Sequence, residues 1–324
     1  MLNIALIGAG SRGTQYCRHA VAHGAGIAAV CDTDAQRRDM AGEAFGVRAE
    51  RRFDSVEALL ASGTPFDAAI NATMDQQHVA TTLPLLKAGK NVLLEKPICL
   101  SKAELFALYG QARESGSKVM VCHTLRYTPF YTAIKRRVLA GELGRIKHIY
   151  ASESVGQSHM AAAFIRGKWG NSVRCGSKIL MAKCCHDMDL LAWFKSGVRP
   201  VKVVSMGNLF EYRSEQARPG AGEICTADCP LEAECPYSAR LNYVRNEQWG
   251  VYAWRDILEK GGDLQGKTIP EQDKLEYLAS GARFGRCVYR LDNDQYDTQS
   301  VIVRFEDGTH AEFGLNGGTP KSDR

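Results

Sequence analysis

Short apolar runs alternate with segments of helical periodicity over the first 120 residues of the chain. The apolar runs predict strands at 2–7, 26–31, 67–71, 91–94 and 118–122. The periodic segments predict helices at 12–23, 34–46, 55–61, 76–88 and 102–115. Strands that alternate with helices in this way are typical of a parallel sheet with helices on both faces. The pattern therefore predicts an α/β domain over residues 1–122.

Residues 123–324 show a different pattern. Helical runs are predicted at 128–140 and 181–194, and strands at 145–155, 200–211, 284–291, 297–306 and 309–315. The dipeptide Asp307-Gly308 between the last two strands is a typical hairpin turn. The pattern predicts an α+β domain with a large, mainly antiparallel open sheet. The polar ending at Arg324 follows a strand directly, which leaves open whether the sheet and the natural protein continue.

Composition and charge narrow the class of protein. The chain has 324 residues, of which 45% are hydrophobic and 24% charged, with a formal net charge of +5. This modest charge does not suggest nucleic-acid binding, and no apolar run is long enough to cross a membrane. Because the first strand begins at the N-terminus, we do not expect a signal peptide there. The eleven scattered cysteines then indicate reduced thiols in a cytoplasmic protein.

The first predicted strand runs directly into a glycine-rich motif, Gly8-Ala-Gly10-Ser-Arg-Gly13. In a G-x-G-x-x-G turn, the first glycine allows the tight turn, the second lets the backbone approach a pyrophosphate, and the third lets the helix pack on the strand. Asp32 ends the second strand about 20 residues later, where a carboxylate would bind the ribose 2′-hydroxyl of NAD. The alternative for Asp32 is a turn residue. The cofactor contacts predicted from this motif also include Ser11 and Arg12.

A cysteine cluster, Cys225-x3-Cys229-x5-Cys235, is the least expected motif. Three cysteines this close together in a reducing compartment suggest a structural zinc site. The spacing is not that of the usual C-x2-C pair, and Cys287, Cys175 or a histidine is available as fourth ligand. Three free or packed thiols are the alternative interpretation.

The segment Glu95-Lys96-Pro97 follows a predicted strand. Together with the glycine motif, it resembles the glucose-fructose oxidoreductase / inositol dehydrogenase / rhizopine-catabolism (Gfo/Idh/MocA) family. The resemblance covers almost the whole chain and is strongest in 1–127 and 181–194. It implies a Rossmann domain followed by an α+β domain, whose open sheet would form a homodimer or homotetramer. It also implies hydride transfer between NAD(P) and a sugar or cyclitol carbon.

The resemblance assigns the proton-transfer role to Lys96, beside the nicotinamide and the reacting hydroxyl, with Glu95 among the cofactor contacts. A lysine just past the carboxyl end of a parallel strand faces the ligand crevice. Burial beside other cations lowers a lysine pKa towards neutrality, where the group can exchange protons. The alternative makes Lys96 a structural partner of Glu95.

The predicted helix at 181–194 carries a second group of candidates. Family members often place an Asp four residues before a His here, but this chain has Ala182 before His186. Lys183 would supply a cation instead, and on a helix it shares a face with His186. We therefore expect Lys183 and His186 to be catalytic, facing Lys96 across the substrate, with Asp187 as a substrate contact. A hydrogen-bonded core histidine is the alternative for His186, and structural pairing is the alternative for Asp187.

Three further loops contain candidate residues. In the resembled family, the loop after the third strand lies over the cofactor, which assigns cofactor contacts to Thr73 and His78; helix capping is the alternative. The Arg126-Tyr127 pair resembles a family junction that borders the substrate, with structural packing as the rival interpretation.

The loop 164–171 contains Arg166, Lys168 and Trp169. An aromatic ring packs on the C–H groups of a pyranose, and cations bind hydroxyl or acid groups. We therefore expect Arg166 and Trp169 to bind substrate, with a plain surface loop as the alternative.

These residues favour an NAD-dependent oxidoreductase that acts on a sugar or polyol. An NAD-dependent glycoside hydrolase is the alternative. It would oxidise a ring hydroxyl, eliminate the aglycone, add water and then reduce the ring, with NAD retained throughout. The cations at 166–168 would suit an acidic glycoside. A non-enzymatic NAD sensor is disfavoured, because a sensor has no need of proton-transfer groups.

Overall fold

The computed structural model describes residues 1–254, 257 and 269–324. The chain divides into two compact units, an N-terminal unit Met1–Cys122 and a C-terminal unit His123–Arg324. Among the described residues, no helix combines the length and the apolar character that a membrane span requires.

The N-terminal unit is built on a six-stranded sheet in the order β3-β2-β1-β4-β5-β6, with every neighbouring pair parallel. The sheet order reverses between β1 and β4, and ligands of such sheets bind at the carboxyl ends of the strands beside that reversal. The strands are β1 (Asn3–Ile7), β2 (Gly26–Cys31), β3 (Arg52–Phe53), β4 (Ala68–Asn71), β5 (Asn91–Leu94) and β6 (Val119–Val121).

Helices connect these strands, as the alternating pattern predicts. They are α1 (Ser11–Ala22), α2 (Ala35–Ala44), α3 (Val56–Ala61), α4 (His78–Lys87) and α5 (Lys102–Ser115), with short 3-10 turns at Ala49–Arg51 and Asp75–Gln77. The edge strand β3 is absent from the sequence prediction, because two residues carry no periodic pattern.

Local capping explains why α5 has the bounds that its sequence predicts. The Ser101 hydroxyl accepts the N–H of Glu104 at 3.2 Å, and the Glu104 carboxylate accepts the N–H of Leu100 at 2.8 Å. These bonds satisfy N–H groups that have no partner within the helix. Gly116 ends the helix with a φ of 71°, a left-handed conformation that glycine adopts without steric cost.

The C-terminal unit contains a four-stranded sheet in the order β7-β10-β9-β8. Its strands are β7 (His148–Gly156), β8 (Pro200–Asn208), β9 (Thr298–Phe305) and β10 (His310–Thr319). The β8–β9 and β9–β10 pairs are antiparallel and the β7–β10 pair is parallel, which confirms the predicted mainly antiparallel sheet. The predicted hairpin turn is also present, with Gly308 at φ 86°.

The helices of this unit are mostly short. In the described residues they are α6 (Pro129–Leu139), α7 (Gln157–His159), α8 (Ser172–Cys175), α9 (Ile179–Ala182), α10 (Cys185–Phe194), α11 (Gly250–Ala253) and α12 (Glu271–Ala279). Single turns of π-helix lie at Met160–Ile165 and Arg240–Arg245. Single 3-10 turns lie at Thr124–Tyr127, Ser214–Gln216, Glu232–Glu234 and Arg283–Gly285.

Two predicted elements of this unit are wrong. The strand expected at 284–291 is a 3-10 turn followed by irregular chain, and its backbone pairs with the loop around Cys225: the N–H of Cys225 donates to the carbonyl of Gly285 at 2.8 Å. The helix expected at 181–194 is interrupted, since α9 ends at Ala182 and α10 begins at Cys185.

One face of the C-terminal sheet forms the core and the opposite face is exposed. The buried side chains alternate along the two central strands: Val301, Val303 and Phe305 on β9, and Ala311, Phe313 and Leu315 on β10. On the other face, Tyr150, Glu312, Ile302 and Val204 lie side by side in register across the four strands. We call these four residues the outer row.

Candidate functional site

The glycine turn after β1 has the geometry that its motif predicts. Gly8 has a φ of 87°, and a Cβ there would lie 2.7 Å from the backbone of Ala72. A Cβ on Gly13 would lie 2.2 Å from the carbonyl oxygen of Gly8. Around Gly10, by contrast, a Cβ would meet nothing within 4 Å. Gly8 and Gly13 are therefore required by close backbone packing, whereas Gly10 borders open space.

Helix α1 begins directly after this turn and has no side-chain cap. Gly10 is its N-cap residue, and the first turn contains no acidic residue. Ser11 and Arg12 are exposed, and the Arg12 guanidinium donates to Gln15 at 3.1 Å. A helix N-terminus directs N–H groups and a partial positive charge outward, which suits a phosphate.

Asp32 lies directly after β2 and is bonded to the same turn. Its Oδ2 atom accepts the N–H of Ala9 at 2.7 Å, and its Oδ1 atom accepts the N–H of Asp34 at 2.9 Å. The Arg38 guanidinium donates to the Asp32 carbonyl at 3.0 Å. The carboxylate is thus fixed beside the glycine turn, the position that a ribose-binding acid requires.

Glu95 and Lys96 follow β5, at the carboxyl edge of the same sheet. The buried Glu95 carboxylate accepts the Tyr16 hydroxyl at 2.5 Å and the backbone N–H of Lys96 at 2.8 Å. Burial, followed by the charge of Glu95, raises the pKa of Tyr16, so this phenol remains a hydrogen-bond donor. Tyr16 is a member of this group that the sequence motif does not identify.

The loop after β4 is held by internal hydrogen bonds. The Thr73 hydroxyl donates to Asn71 Oδ1 at 2.8 Å. His78 is 1% exposed, with Nδ1 2.7 Å from the carbonyl oxygen of Pro97 and Nε2 3.2 Å from that of Thr73. These contacts favour the structural interpretation of His78, which ties the loop to the turn at Pro97. Cofactor contacts by His78 and Thr73 stay predictions.

In the C-terminal unit, Lys183 belongs to a charged cluster of four residues. Its ammonium group lies 2.7 Å from Glu153 Oε1, and Arg324 Nε lies 2.7 Å from Glu153 Oε2 and 2.8 Å from Asp187 Oδ1. Glu153 and Asp187 are almost completely buried, and burial raises the pKa of both carboxyl groups. Lys183 and Arg324 lower both pKa values and so oppose the effect of burial. With two cations and two carboxylates, the cluster is balanced in charge. The pairing with Arg324 favours the structural alternative for Asp187.

The helical argument that joined Lys183 to His186 is wrong. Lys183 lies between α9 and α10 with φ −123° and ψ −56°, outside helical geometry, whereas His186 lies in the first turn of α10. The two residues therefore do not share the face of one continuous helix. Lys183 instead supplies the countercharge that the buried Glu153 carboxylate requires.

His186 packs near a second histidine. The rings of His186 and His123 meet edge to face, with their centroids 5.8 Å apart. His123 Nε2 lies 3.8 Å from Asp189 Oδ1, and Arg126 Nε donates to Asp189 Oδ2 at 2.7 Å. This ion pair favours the structural interpretation of Arg126, whose substrate contact stays a prediction. The neighbouring Tyr127 is 66% exposed, and its substrate contact stays a prediction.

The expectation that Arg166 binds substrate is wrong. Arg166 is fully buried and donates to the carbonyl oxygens of Arg286 and Tyr237 and to the hydroxyl of Tyr243, at 2.8, 2.9 and 3.1 Å. Its guanidinium group presents no surface to a ligand. Trp169, in the same loop, is half-buried, and its role stays a prediction.

The zinc prediction finds no support. Cys225, Cys229, Cys235 and Cys287 line one small cavity, but no group of three or more His, Cys, Asp or Glu residues in the described part of the chain is arranged to hold a metal ion. The Arg166 guanidinium donates to Cys225 Sγ at 3.2 Å. Burial raises the pKa of the Cys235 and Cys287 thiols. These contacts favour the alternative interpretation of free or packed thiols.

Sequence reasoning missed Glu153, Tyr16 and Arg324. A signal for Glu153 was present, since it occupies an inward position of β7, two residues before the buried Val155. A carboxylate at an inward strand position requires a buried cation as partner. Tyr16 and Arg324 carry no comparable pattern, because their partners lie far away in the sequence.

Comparison with known proteins agrees with this geometry. Residues 2–123 match the model of the GFO_IDH_MocA family, described as an oxidoreductase family with an NAD-binding Rossmann fold. The chain is 24% identical over 266 residues to the putative oxidoreductase YteT of Bacillus subtilis. The aligned region covers 81% of this chain and 58% of YteT. The chain is 25% identical over 268 residues to inositol 2-dehydrogenase of Corynebacterium glutamicum, which covers 80% of this chain and 72% of that enzyme. This chain therefore spans less than two thirds of the length of YteT.

Solved structures share the fold. The WlbA dehydrogenase of Bordetella pertussis, in complex with NADH and UDP-GlcNAcA, has a TM-score of 0.63 at 19% identity, covering 98% of this chain and 73% of that one. The scyllo-inositol dehydrogenase of Lactobacillus casei, with NAD(H) and scyllo-inositol, has a TM-score of 0.63 at 17% identity, covering 98% of this chain and 70% of that one. At these identities, the likeness concerns the fold.

Proposed function

We propose that the chain is an NAD-dependent oxidoreductase acting on a sugar or polyol, because residues 2–123 match the model of the GFO_IDH_MocA oxidoreductase family. The observation that carries the proposal is the bond between Asp32 and the glycine turn. Asp32 Oδ2 accepts the N–H of Ala9, beside the open space at Gly10 and the uncapped N-terminus of α1. A diphosphate fits that helix end, and a ribose hydroxyl fits the fixed carboxylate.

NAD, when bound, supplies the hydride acceptor, and the residues of the protein orient the substrate and move its proton. Lys96 takes the proton from the reacting hydroxyl. The support is its place after β5, at the carboxyl edge of the sheet, and the buried Glu95 carboxylate that fixes its backbone N–H. A positioned amine of this kind contributes about 10²- to 10⁴-fold to a rate through proton transfer.

Lys183 and His186 serve the same reaction in this proposal. Glu153 fixes the Lys183 ammonium group and neutralises its charge, so Lys183 donates a hydrogen bond to a substrate oxygen and His186 exchanges the proton. The roles of these two residues are supported by the charged cluster around Lys183 and by the position of His186 in the first turn of α10. The glycosidase alternative drew on the cations at 166–168. Because Arg166 is buried, the suggestion of an acidic glycoside loses one of its two cations, and we retain the oxidoreductase as the leading proposal.

One assay tests the proposed function directly. The purified protein is mixed with NAD and a panel of cyclitols, sugars and glycosides, and NADH absorbance and released sugar are measured in parallel. We expect NADH to form with at least one cyclitol or sugar, with no sugar released from glycosides. Release of sugar without net NADH would instead identify the glycoside hydrolase, and the absence of both would overturn enzymatic function.

We further propose that the protein forms a homodimer or homotetramer through the outer row of the C-terminal sheet. Tyr150 is 71% exposed, and Ile302 and Val204 are each about half exposed, in register on the face opposite the core. Glu312 separates Tyr150 from Ile302 in this row, whereas Ile302 and Val204 are direct neighbours, and neighbouring exposed apolar residues on a sheet face are typical of protein–protein contacts. A second copy of the same sheet would bury them.

A further inference from the structure

The backbone on the two sides of Lys96 is anchored to different helices of the N-terminal unit. Before Lys96, the Glu95 carboxylate accepts the Lys96 N–H with Oε2 at 2.8 Å and the Tyr16 hydroxyl with Oε1 at 2.5 Å. Tyr16 lies on α1, the helix that follows the glycine turn. After Lys96, the carbonyl oxygen of Pro97 lies 2.7 Å from Nδ1 of His78, at the start of α4. The turn that carries Lys96 is therefore held from both α1 and α4.

Tyr16 is the partner that fixes the orientation of the Glu95 carboxylate. A hydroxyl that donates to a carboxylate at this distance forms a charge-assisted bond, which is about twice as strong as a bond between neutral groups. Arg12 Nε lies 3.7 Å from the same oxygen, but the Arg12 side chain is 61% exposed. Exposed ion pairs contribute about 0–1 kcal/mol. The orientation of Glu95 thus depends on the phenol more than on the guanidinium group.

The Tyr16 hydroxyl stays a donor in this environment, because burial and the charge of Glu95 raise the pKa of Tyr16. With Oε1 bound to Tyr16 and Oε2 bound to the Lys96 N–H, the carboxylate bridges α1 and the turn after β5. Loss of the hydroxyl would leave Oε1 to Arg12 and water, and the carboxylate could then rotate away from the Lys96 N–H. The position of the Lys96 backbone therefore depends on a hydroxyl of α1.

We propose that Tyr16 is a positioning residue for Lys96: by holding Glu95, it fixes the backbone from which the Lys96 amine reaches the reacting hydroxyl. The inference rests on the proposed function and deepens it, because it names a residue that acts on the proton-transfer step through Glu95. A displacement of about 1 Å in a reacting group can lower a rate about a hundredfold. Even a small shift of this turn should therefore be measurable in kcat.

The test compares Tyr16→Phe, which removes the hydroxyl and keeps the ring, with the matched control Tyr109→Phe on α5, where the tyrosine is 60% exposed. A third variant, Glu95→Gln, keeps an acceptor oxygen and removes the charge, and it is also combined with Tyr16→Phe. Circular dichroism melts check that each variant folds.

The first measurement is independent of turnover. Lysine amines are labelled by reductive ¹³C-methylation, and the Lys96 resonance is identified by its absence from the NMR spectrum of Lys96→Met. We expect this resonance to shift in Tyr16→Phe by more than any lysine resonance shifts in Tyr109→Phe, because the Lys96 backbone has lost its anchor.

The second measurement uses NAD and a substrate that forms NADH. For Tyr16→Phe we expect kcat to fall at least about tenfold and Kd for NAD to change by about twofold or less, because the hydroxyl positions Lys96 and not the cofactor. Tyr109→Phe should leave both unchanged. Adding Tyr16→Phe to Glu95→Gln should lower kcat little further, because residues in one hydrogen-bonded chain have non-additive effects.

An unshifted Lys96 resonance, wild-type kcat in a folded Tyr16→Phe variant, equal losses of NAD affinity and kcat, or additive effects of the two substitutions would each overturn the inference. A shifted Lys96 resonance in a protein that forms no NADH with any substrate would support the anchor and overturn the proposed oxidoreductase. The two failures are therefore distinguishable.

Discussion

The ammonium group of Lys183 lies 2.7 Å from the carboxylate of Glu153, which is 3% exposed. The sequence suggests that Lys183 is a free cation. In the structure, Lys183 is one member of a buried cluster whose charges balance. Removing one member of a buried pair leaves the other charge without compensation. Glu153 is therefore the residue on which both the stability and the charge of this site depend.

Replacing Glu153 by Gln should destabilise the protein strongly. Lys183 and Arg324 would lose the carboxylate that both contact, at a cost of about 3–5 kcal/mol in the free energy of unfolding. Urea unfolding at pH 7 measures this cost. Glu114→Gln is the matched control at an exposed position near the end of α5, where the change should stay within about 0.5 kcal/mol. Equal effects of the two substitutions would contradict the prediction.

Protonation of His159 should make the protein sensitive to mild acid. The pKa of His159 is lowered from 6.5 to about 4 in the folded state, so between these values the unfolded chain binds more protons. Stability is therefore fully present above pH 6.5 and is lost as the pH falls towards 4. From pH 7 to pH 5, this group alone should lower the free energy of unfolding by roughly 2 kcal/mol.

His159→Phe keeps an aromatic ring beside Trp249 but cannot take up a proton. Urea unfolding of the variant at both pH values should lack this part of the acid sensitivity, whereas the control His19→Phe, on the surface of α1, should behave as wild type. A variant with the full wild-type pH dependence would show that another group is responsible.

Asp32 should make the protein prefer NAD to NADP. Its carboxylate is fixed by two backbone N–H groups, so it can accept a free ribose 2′-hydroxyl and repel a 2′-phosphate. Isothermal titration should show tighter NAD binding in the wild type, and Asp32→Ser should reduce that preference by at least about tenfold. Asp39→Asn, an exposed acid on α2, is the control. Equal or stronger NADP binding by the wild type, with Arg37 and Arg38 nearby, would refute this role.

Lys96→Met keeps the length of the side chain and removes the amine. Turnover should fall by at least about a hundredfold, because proton transfer is lost, whereas NAD binding should persist. The matched control is Lys102→Met, at an exposed lysine that begins α5. Steady-state kinetics and NAD titration separate the two effects. Near-native turnover of Lys96→Met would leave Lys96 with a structural role only.

Introducing charge into the outer row should dissociate the proposed oligomer. Ile302→Glu places a carboxylate in the centre of the row, and because Ile302 is already 47% exposed, the fold should be preserved. Light scattering after size exclusion should show a wild-type dimer or tetramer and a monomeric variant, with unchanged circular dichroism. A monomeric wild-type protein would exclude an interface at this sheet face.

The sequence by itself determined the elements whose signals are local. The strand and helix alternation of the N-terminal unit, the Ser101 cap of α5 and the Asp307-Gly308 hairpin each depend on neighbouring residues, and the structure has all three. The glycine motif belongs to the same class, because a strand, a turn and a helix are consecutive in the chain. The family resemblance rests on these local features, and residues 2–123 match the model of that family.

Only the tertiary structure decided which polar side chains are buried. Arg166 reads as a loop cation, yet its partners Tyr237 and Arg286 lie 71 and 120 residues further along the chain. The sequence pattern predicts that Lys183 is part of a helix. In the structure, Lys183 lies where the helix is interrupted and pairs there with Glu153. The physical reason is that the free energy of burying a charge depends on partners brought together by the whole fold, which no local pattern specifies.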